Sequence, residues 1–478
     1  MNQNPPYRAV LERVFELGLR RLENIREMRV SASVTPSEAT ARMQKPLQDE
    51  GLDPLTVVNE LAADASESLI ATQGGRFFAW VIGGSLPAAL GADVLATLWD
   101  QNAALFATSP AHGAIEEACG IWMKELLGIP ESAGFAITTG TQMAHVTALA
   151  AARSHLLHRA GWDVETKGLM GAPTIEVITG AEAHGTLDRA IRLLGMGTES
   201  VKRFEMDDGY RLSPAACRRE LEARSGAPII VHLEAGSINT GAYDHFAEII
   251  PMAHEHGAWV HIDGAIGLWA KASPKYQYLL EGSELADSWS ADGHKWLNVP
   301  YDSGYAFVRH AESQRAAMSY RASYLAHDAQ FRDQMDYNPE WSRRGRGAAT
   351  YAAIRELGRN GVAAIVEETC RHTAALVAGI GQLPGAVVVI EPVINQGLVR
   401  FVQPATGDPE KSDDSFTDRV VDRIVRDGEA FFQATTFLGQ RCMRISLSSW
   451  MTDDRDVERS VAAVAQALET CGGSTESQ

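Results

Sequence analysis

The chain has 478 residues, 45% hydrophobic and 22% charged, the balance of an ordinary soluble globular protein with length enough for two or three domains. Its formal charge of −18, from 43 basic and 61 acidic residues, and the lack of a basic stripe argue against a nucleic-acid partner. Five dispersed cysteines (Cys119, Cys217, Cys370, Cys442 and Cys471) without CxxC spacing offer neither a disulfide framework nor a zinc site and suit a reducing cytoplasm.

Residues 7–28 read as an amphipathic helix, with Leu11, Phe15, Leu22 and Ile25 at helical spacing and Val10, Val14 and Leu17 widening the face. Charges interrupt every apolar run there, so the stretch does not read as a signal peptide. No window approaches the roughly 20 apolar residues of a membrane span, and a cytoplasmic protein is the expectation. So broad an apolar face needs a cover, either the body of the chain or a second subunit. "TPSE" and "TQGGRFF" follow as turns.

From about residue 100, helical text alternates with short apolar runs. These are GFAITT (134–139), PTIEVITG (173–180), PIIVHLEAG (228–236), AWVHIDGAIGLW (258–269) and SGYAFVR (303–309). This pattern predicts a mainly parallel sheet with helices on both faces. A smaller α+β domain follows from about residue 360, with GAVVVIEPV, QGLVRFVQP and RCMRISL as its strands. QPATGDPEKSDDS (403–415) reads as a loop and GGSTESQ as a frayed tail.

Three features before Lys295 draw attention. Asp263 ends an apolar strand and is followed by Gly264 and Ala265, so it either caps the next helix or faces a cation. TTGTQMAH (138–145) joins a strand to a helix, and the N–H groups of Gly140, Thr141 and Gln142 can converge as a phosphate cradle. It is no Walker loop, since no GK[ST] follows. His184 sits between a strand and a helix, where a histidine is either an exposed loop residue or a functional one.

Lys295 lies in DSWSADGHKWLNVPYDSGYAF (287–307), where a buried ammonium must be paired, deprotonated or covalently modified. In doubly wound sheets ligands bind at the carboxyl ends of the strands, where all four features fall. An amine for an aldehyde, a carboxylate for a ring nitrogen and a phosphate nest are the parts of a pyridoxal-phosphate site. His184 could stack on one face of the ring, and Ala265 is small enough to lie under the other.

These residues, with RFFAWVIGGSLPAALGA (76–92), LFATSPAHGAIEEACGIWMKELLGIP (105–130), NTGAYD (239–244) and DYNPEWSRRGRG (336–347), make the chain similar to the group II pyridoxal-phosphate decarboxylases. Aromatic-L-amino-acid, glutamate and histidine decarboxylases belong to that family. The resemblance covers nearly the whole chain and implies fold type I, an α/β fold with a mainly parallel central sheet and a small C-terminal α+β domain. It divides the chain into an N-terminal helical segment packing on the partner subunit (1–85), a large cofactor domain (86–358) and a small domain (359–478).

By the same resemblance, Lys295 forms the internal aldimine with pyridoxal 5′-phosphate, beside His294. Asp263 pairs with the ring nitrogen and His184 stacks on the ring. Gly140, Thr141, Gln142, Ser237 and Ala265 complete the cofactor site. Tyr324 falls in the family's mobile loop, which closes over the partner subunit's site and delivers a proton to Cα after CO2 leaves. Phe78, Trp80, Val81 and Ile82 imply a substrate wall, with Asn102 arriving from the other subunit of a homodimer. Gly293, Ser303 and Asp292 depart from many relatives, which have proline, cysteine or alanine, and asparagine there. An acid beside a phosphate would repel it, so Asp292 is expected to point away or bond a neighbouring N–H.

The reaction implied is decarboxylation of an L-amino acid, aromatic or apolar if the wall decides. Another reaction on the same scaffold stays open: transamination, aldol cleavage or aldehyde-forming oxidative deamination. Arg444 is either a carboxylate clamp for such chemistry or a structural residue. A degenerate scaffold with a binding role is the remaining alternative, which Lys295, Asp263 and His184 together oppose.

Overall fold

The computed structural model describes residues 7–224, 226–320, 331–403 and 409–472. Seven strands build the main sheet: β1 (Gly134–Thr138), β2 (Glu176–Gly180), β3 (Val201–Phe204), β4 (Ile229–Glu234), β5 (Trp259–Asp263), β6 (Ser288–Asp292) and β7 (Gly304–Val308). Their order is β1-β7-β6-β5-β4-β2-β3. β7 runs antiparallel to both its neighbours, and every other pairing is parallel. Apolar and small side chains let β1, β5, β6 and β7 lie buried along their whole length, as a sheet covered on both faces requires.

A second sheet holds β8 (Ala386–Ile390), β9 (Gln396–Phe401), β10 (Gln433–Phe437) and β11 (Gln440–Ser446), all antiparallel, in the order β10-β11-β9-β8. It has its own core of Phe78, Phe401, Phe416, Phe432 and Leu447 among others. The helix Gly347–Gly381 links the two layers and is interrupted at Gly358, whose φ of +59° suits glycine. The domain division proposed from the sequence, at 358–359, falls beside this break. Among the described residues no helix is long and apolar enough to cross a membrane.

Several sequence expectations need correction. The N-terminal helix spans Tyr7–Asn24, ending four residues early, and none of its residues is buried. TPSE is a helix start and not a turn: Thr35 accepts from the Glu38 N–H and the Glu38 carboxylate reaches back, a capping box. Within the stretch 403–415, expected as a loop, a helix begins at Pro409, a residue suited to the first helical turn. GAIGLW after β5 is a 3-10 helix from Gly267 and not strand. The short strands β3 and β10 lacked an apolar run long enough to be seen.

The link from β6 to β7 accounts for two of the departures. A Cβ on Gly293 would lie 2.1 Å from the Tyr305 hydroxyl, 2.6 Å from Val299 and 2.7 Å from Ser303 Oγ. The Tyr305 hydroxyl in turn bonds Ser303 Oγ (3.0 Å) and Thr350 Oγ1 (2.7 Å). Glycine at 293 leaves room for the tyrosine hydroxyl, and serine at 303 gives it a partner. Gly293→Ala should therefore lower the unfolding free energy by about 1–3 kcal/mol. Adding Tyr305→Phe should recover part of that loss in denaturant titration. No recovery would mean that the hydroxyl is not the obstacle.

Candidate active site

Strands β4, β5 and β6 are adjacent and parallel, and each ends in an acid: Glu234, Asp263 and Asp292. The register pairs Glu234 with Asp263 and Asp263 with Ser290. Asp292 lies two residues beyond Ser290, so strand alternation puts all three carboxyls on one face. That face opens on a cavity of about 280 Å³ whose wall includes Thr141, Gln142, His184, Ala265, His294 and Lys295.

Each acid tolerates this setting differently. Asp263 Oδ1 accepts from the Ala265 N–H at 3.0 Å, and Oδ2 lies 3.2 Å from His145 Nε2. Burial opposes its charge, but the His145 imidazole and these hydrogen bonds prevail and hold the carboxyl well below the usual carboxylate range. Asp292 Oδ1 accepts from the Thr141 N–H at 2.7 Å, and Oδ2 faces Lys295 Nζ at 3.4 Å and His294 Nε2 at 3.6 Å. The acid expected to bond a neighbouring N–H thus takes the first amide of the cradle helix. Among the described residues Glu234 Oε1 accepts the His184 N–H alone, at 2.9 Å, and burial followed by the charge of Asp263 pushes its carboxyl up to about 8.

Lys295 sits where the chain turns out of β6, with 18% of its side chain exposed. The residues before it are anchored from both sides: Trp269 Nε1 donates to the Asp292 carbonyl, and the Gly83 N–H to the His294 carbonyl. His294 accepts the Ser303 N–H on Nδ1 (3.2 Å) and stacks on Tyr301 at 4.2 Å. Burial lowers its pKa. The helix Thr141–Arg159 starts at the cavity, where Thr141 Oγ1 is buried without a hydrogen-bond partner among the described residues and Gln142 Nε2 donates to the Thr186 carbonyl. His184 is exposed at the mouth, its ring bonded to Thr186 Oγ1 at 2.8 Å.

Lys295, Asp263, His184, His294, Ala265, Gly140, Thr141 and Gln142 therefore meet at one cavity. Ser237 does not line it, although its neighbours Gly236 and Ile238 do. The four residues of the expected substrate wall also lie elsewhere within this chain. Phe78 stacks on Phe432 in the small-domain core (5.0 Å), and Val81 is buried in the large one. Trp80 is 44% exposed and leans on Phe77 and Phe431, and Ile82 packs with the Phe77 cluster. Asn102 accepts from the N–H groups of Ala104 and Arg343, away from the cavity. Arg444 donates to Gln433 and does not line the cavity. Tyr324 lies outside the described residues.

Sequence reasoning missed Glu234 and three buried histidines behind the site, His145, His232 and His261. The signal was an H-x-[DE] pattern ending two neighbouring strands, VHLE and VHID, which places each histidine on the same face as its acid. The register then pairs His232 with His261, as it pairs Glu234 with Asp263.

These groups fit a phosphorylated aromatic aldehyde. An amine stands ready for the carbonyl, an unpartnered hydroxyl marks the positive end of a 19-residue helix, and a buried ionised carboxylate suits a protonated ring nitrogen. Comparison with known proteins agrees. The profile described as "Pyridoxal-dependent decarboxylase conserved domain" matches residues 36–402. An aromatic-L-amino-acid decarboxylase of Bacillus atrophaeus is 27% identical over 62% of this chain and 60% of its own length, so the chain aligns with little more than half of that enzyme. A 4-hydroxyphenylacetaldehyde synthase of Rhodiola rosea is 24% identical over 92% of this chain and 91% of its own. Rice (Oryza sativa) TDC, solved with PLP and tryptamine, superposes with a TM-score of 0.91 at 20% identity, over 99% of this chain and 100% of that one. Mouse CSAD gives 0.90 at 21% identity, over 98% and 100%. The chain belongs to the pyridoxal-dependent decarboxylase family, with the fold type I architecture and pyridoxal 5′-phosphate as its cofactor.

Proposed function

We propose that this protein decarboxylates an L-amino acid to the amine and CO2, with Lys295 as the residue that holds the cofactor covalently. The observation that carries the reading is the meeting of Lys295 and the ionised, buried Asp263 on one small cavity. Pyridoxal phosphate, when bound, supplies a sink for the electron pair that departing CO2 leaves at Cα. Lys295 would hold the cofactor through its amine, which can condense with the aldehyde with loss of water. Asp263 keeps a proton on the ring nitrogen. Thr141, Gln142 and Gly140, with Ser237, hold the phosphate, and Asp292 must share the Thr141 amide with it. His184 stacks on the ring, Ala265 leaves space beneath it, and His294 keeps the lysine's backbone in place. Tyr324 returns the proton to Cα.

Trp80 and Ile82 bound the substrate pocket only together with a second subunit, which would bring Asn102 to it, while Phe78 and Val81 support that wall from the cores behind. In support of a homodimer, Val14, Phe15 and Leu19 stand exposed on an N-terminal helix that this chain leaves without a buried residue. The cytoplasm is the proposed location. A second reading, aldehyde formation, is favoured by one observation: the plant aldehyde synthase aligns with nearly the whole chain.

Glu234 and Asp263 are neighbouring carboxyls driven to opposite protonation states, an arrangement that leaves Glu234 able to donate a hydrogen bond near pH 7. A carboxyl raised on folding contributes stability below its unfolded pKa, and that contribution is lost as pH rises through the folded value. For Glu234 the loss runs from its ordinary value of 4.5 to about 8. The cofactor-free protein should therefore lose stability across that window, and Glu234→Gln should flatten the slope in denaturant titrations at several pH values. An unchanged slope would mean that Glu234 is ionised.

Assay of the purified holoenzyme against the twenty amino acids should give CO2 and amine in equal amounts. Aldehyde and peroxide would support the second reading instead, and keto acid without CO2 would reject both. Lys295→Ala should lower turnover by roughly a thousandfold or more and remove the visible band of the bound cofactor. A monomer by sedimentation with full activity would remove the dimer and the shared pocket.

A further inference from the structure

Behind Asp263 lies a line of polar side chains that the reaction does not touch. His145 Nε2 is 3.2 Å from Asp263 Oδ2, and His145 Nδ1 is 2.8 Å from His261 Nε2. His261 Nδ1 is 2.8 Å from Ser288 Oγ, which accepts from Trp259 Nε1 at 2.8 Å. His145, His261, Ser288 and Trp259 are all buried, so the protons must be shared among these groups.

Counting protons fixes the direction. The Trp259 indole can only donate, and the ionised Asp263 can only accept. His145 must therefore present Nε2–H to Asp263, which leaves Nδ1 as an acceptor in the neutral ring. His261 then presents Nε2–H to His145 and accepts on Nδ1, so the Ser288 hydroxyl donates there while receiving the indole N–H. Every proton has an acceptor. Ser290 Oγ lies 3.5 Å from His145 Nδ1 and donates at the same distance to the Ile262 carbonyl. A doubly protonated His145 would instead push a proton through His261 onto Ser288. The Ser288 hydroxyl would then receive two donors, with no acceptor for its own proton among the bonds of the described residues.

We propose that His145 is a positioning residue for the cofactor, the last link of a one-way hydrogen-bond chain from Trp259 through Ser288 and His261 that keeps Asp263 ionised and turned to face the ring. The proposal rests on the reading of Asp263 as the partner of the ring nitrogen. Oδ1 is held by the Ala265 N–H and Oδ2 by His145, which together set the plane of the carboxylate. Without His145 the buried oxygen loses its charged-group hydrogen bond and binds a proton more readily. His261 and Ser288 act further back by fixing which nitrogen of His145 carries the proton.

The test uses the holoenzyme. Histidine-¹⁵N spectra of the wild type should show both His145 and His261 protonated at Nε2 and bare at Nδ1; a proton on Nδ1 of either ring overturns the chain, and this needs no variant to fold. Pyridoxal phosphate retention, read by equilibrium dialysis together with the visible spectrum, then compares variants. His145→Phe should release the cofactor roughly tenfold more readily, the worth of one hydrogen bond to a charged group. His145→Gln, which offers an amide N–H to Asp263 and an oxygen to His261, should restore most of that loss. Equal loss in both variants, or no loss in the phenylalanine variant while Asp263→Asn is impaired, overturns the inference and leaves the role of Asp263 standing. Unaltered retention and spectrum in Asp263→Asn would instead overturn that role and the inference with it.

Discussion

Three carboxyls end three adjacent parallel strands on one face of the sheet, and the rest of the site is arranged around their burial. Repulsion and desolvation forbid three free anions at such spacing. The chain meets the constraint in three ways. Asp292 accepts a helix-start amide on one oxygen and faces the Lys295 amine with the other. Asp263 is ionised against an imidazole and a turn amide. Glu234 holds its proton and accepts a single backbone N–H. The lysine, the helix start and the histidines are each needed by an acid before any ligand arrives.

This division of labour explains why the supporting residues are so rigidly held. The Asp292 carbonyl is tied to Trp269, and the His294 carbonyl to Gly83, so Lys295 leaves the sheet along a fixed path. Asp244 caps the N–H of Glu234 at 2.7 Å and that of Leu212 at 2.7 Å, fixing the end of β4. Side chains placed by strand ends and their turns move less than those on long loops, which suits groups that must hold a planar ring. Loop residues carry specificity in such folds, and here the exposed Trp80 is not part of the wall of the chain's own cavity.

Much of this was legible in the sequence, and for identifiable reasons. Short apolar runs separated by helical text announced β1, β2, β4, β5 and β7, because strands covered on both faces need continuous apolar text. Lys295, Asp263, His184 and the TTGTQ turn were visible as polar residues placed at the ends of such runs. The histidine chain was not, since His145 sits one helical turn past the cradle and its partners come from two strands distant in sequence. Only the register brings them together. Polar text hid the helix starts at Thr35 and Pro409, where capping chemistry resembles a loop. The substrate wall was read from family likeness alone, and a single chain leaves Phe78 and Val81 in its cores.

The proposed function turns on Lys295 as the covalent seat of the cofactor, at the end of an acid-ended strand. Borohydride reduction of the holoenzyme followed by peptide mapping tests it most directly. The account predicts one phosphopyridoxyl group per chain, on the peptide carrying Lys295. A label on another lysine, or a cofactor washed away unreduced, would contradict it.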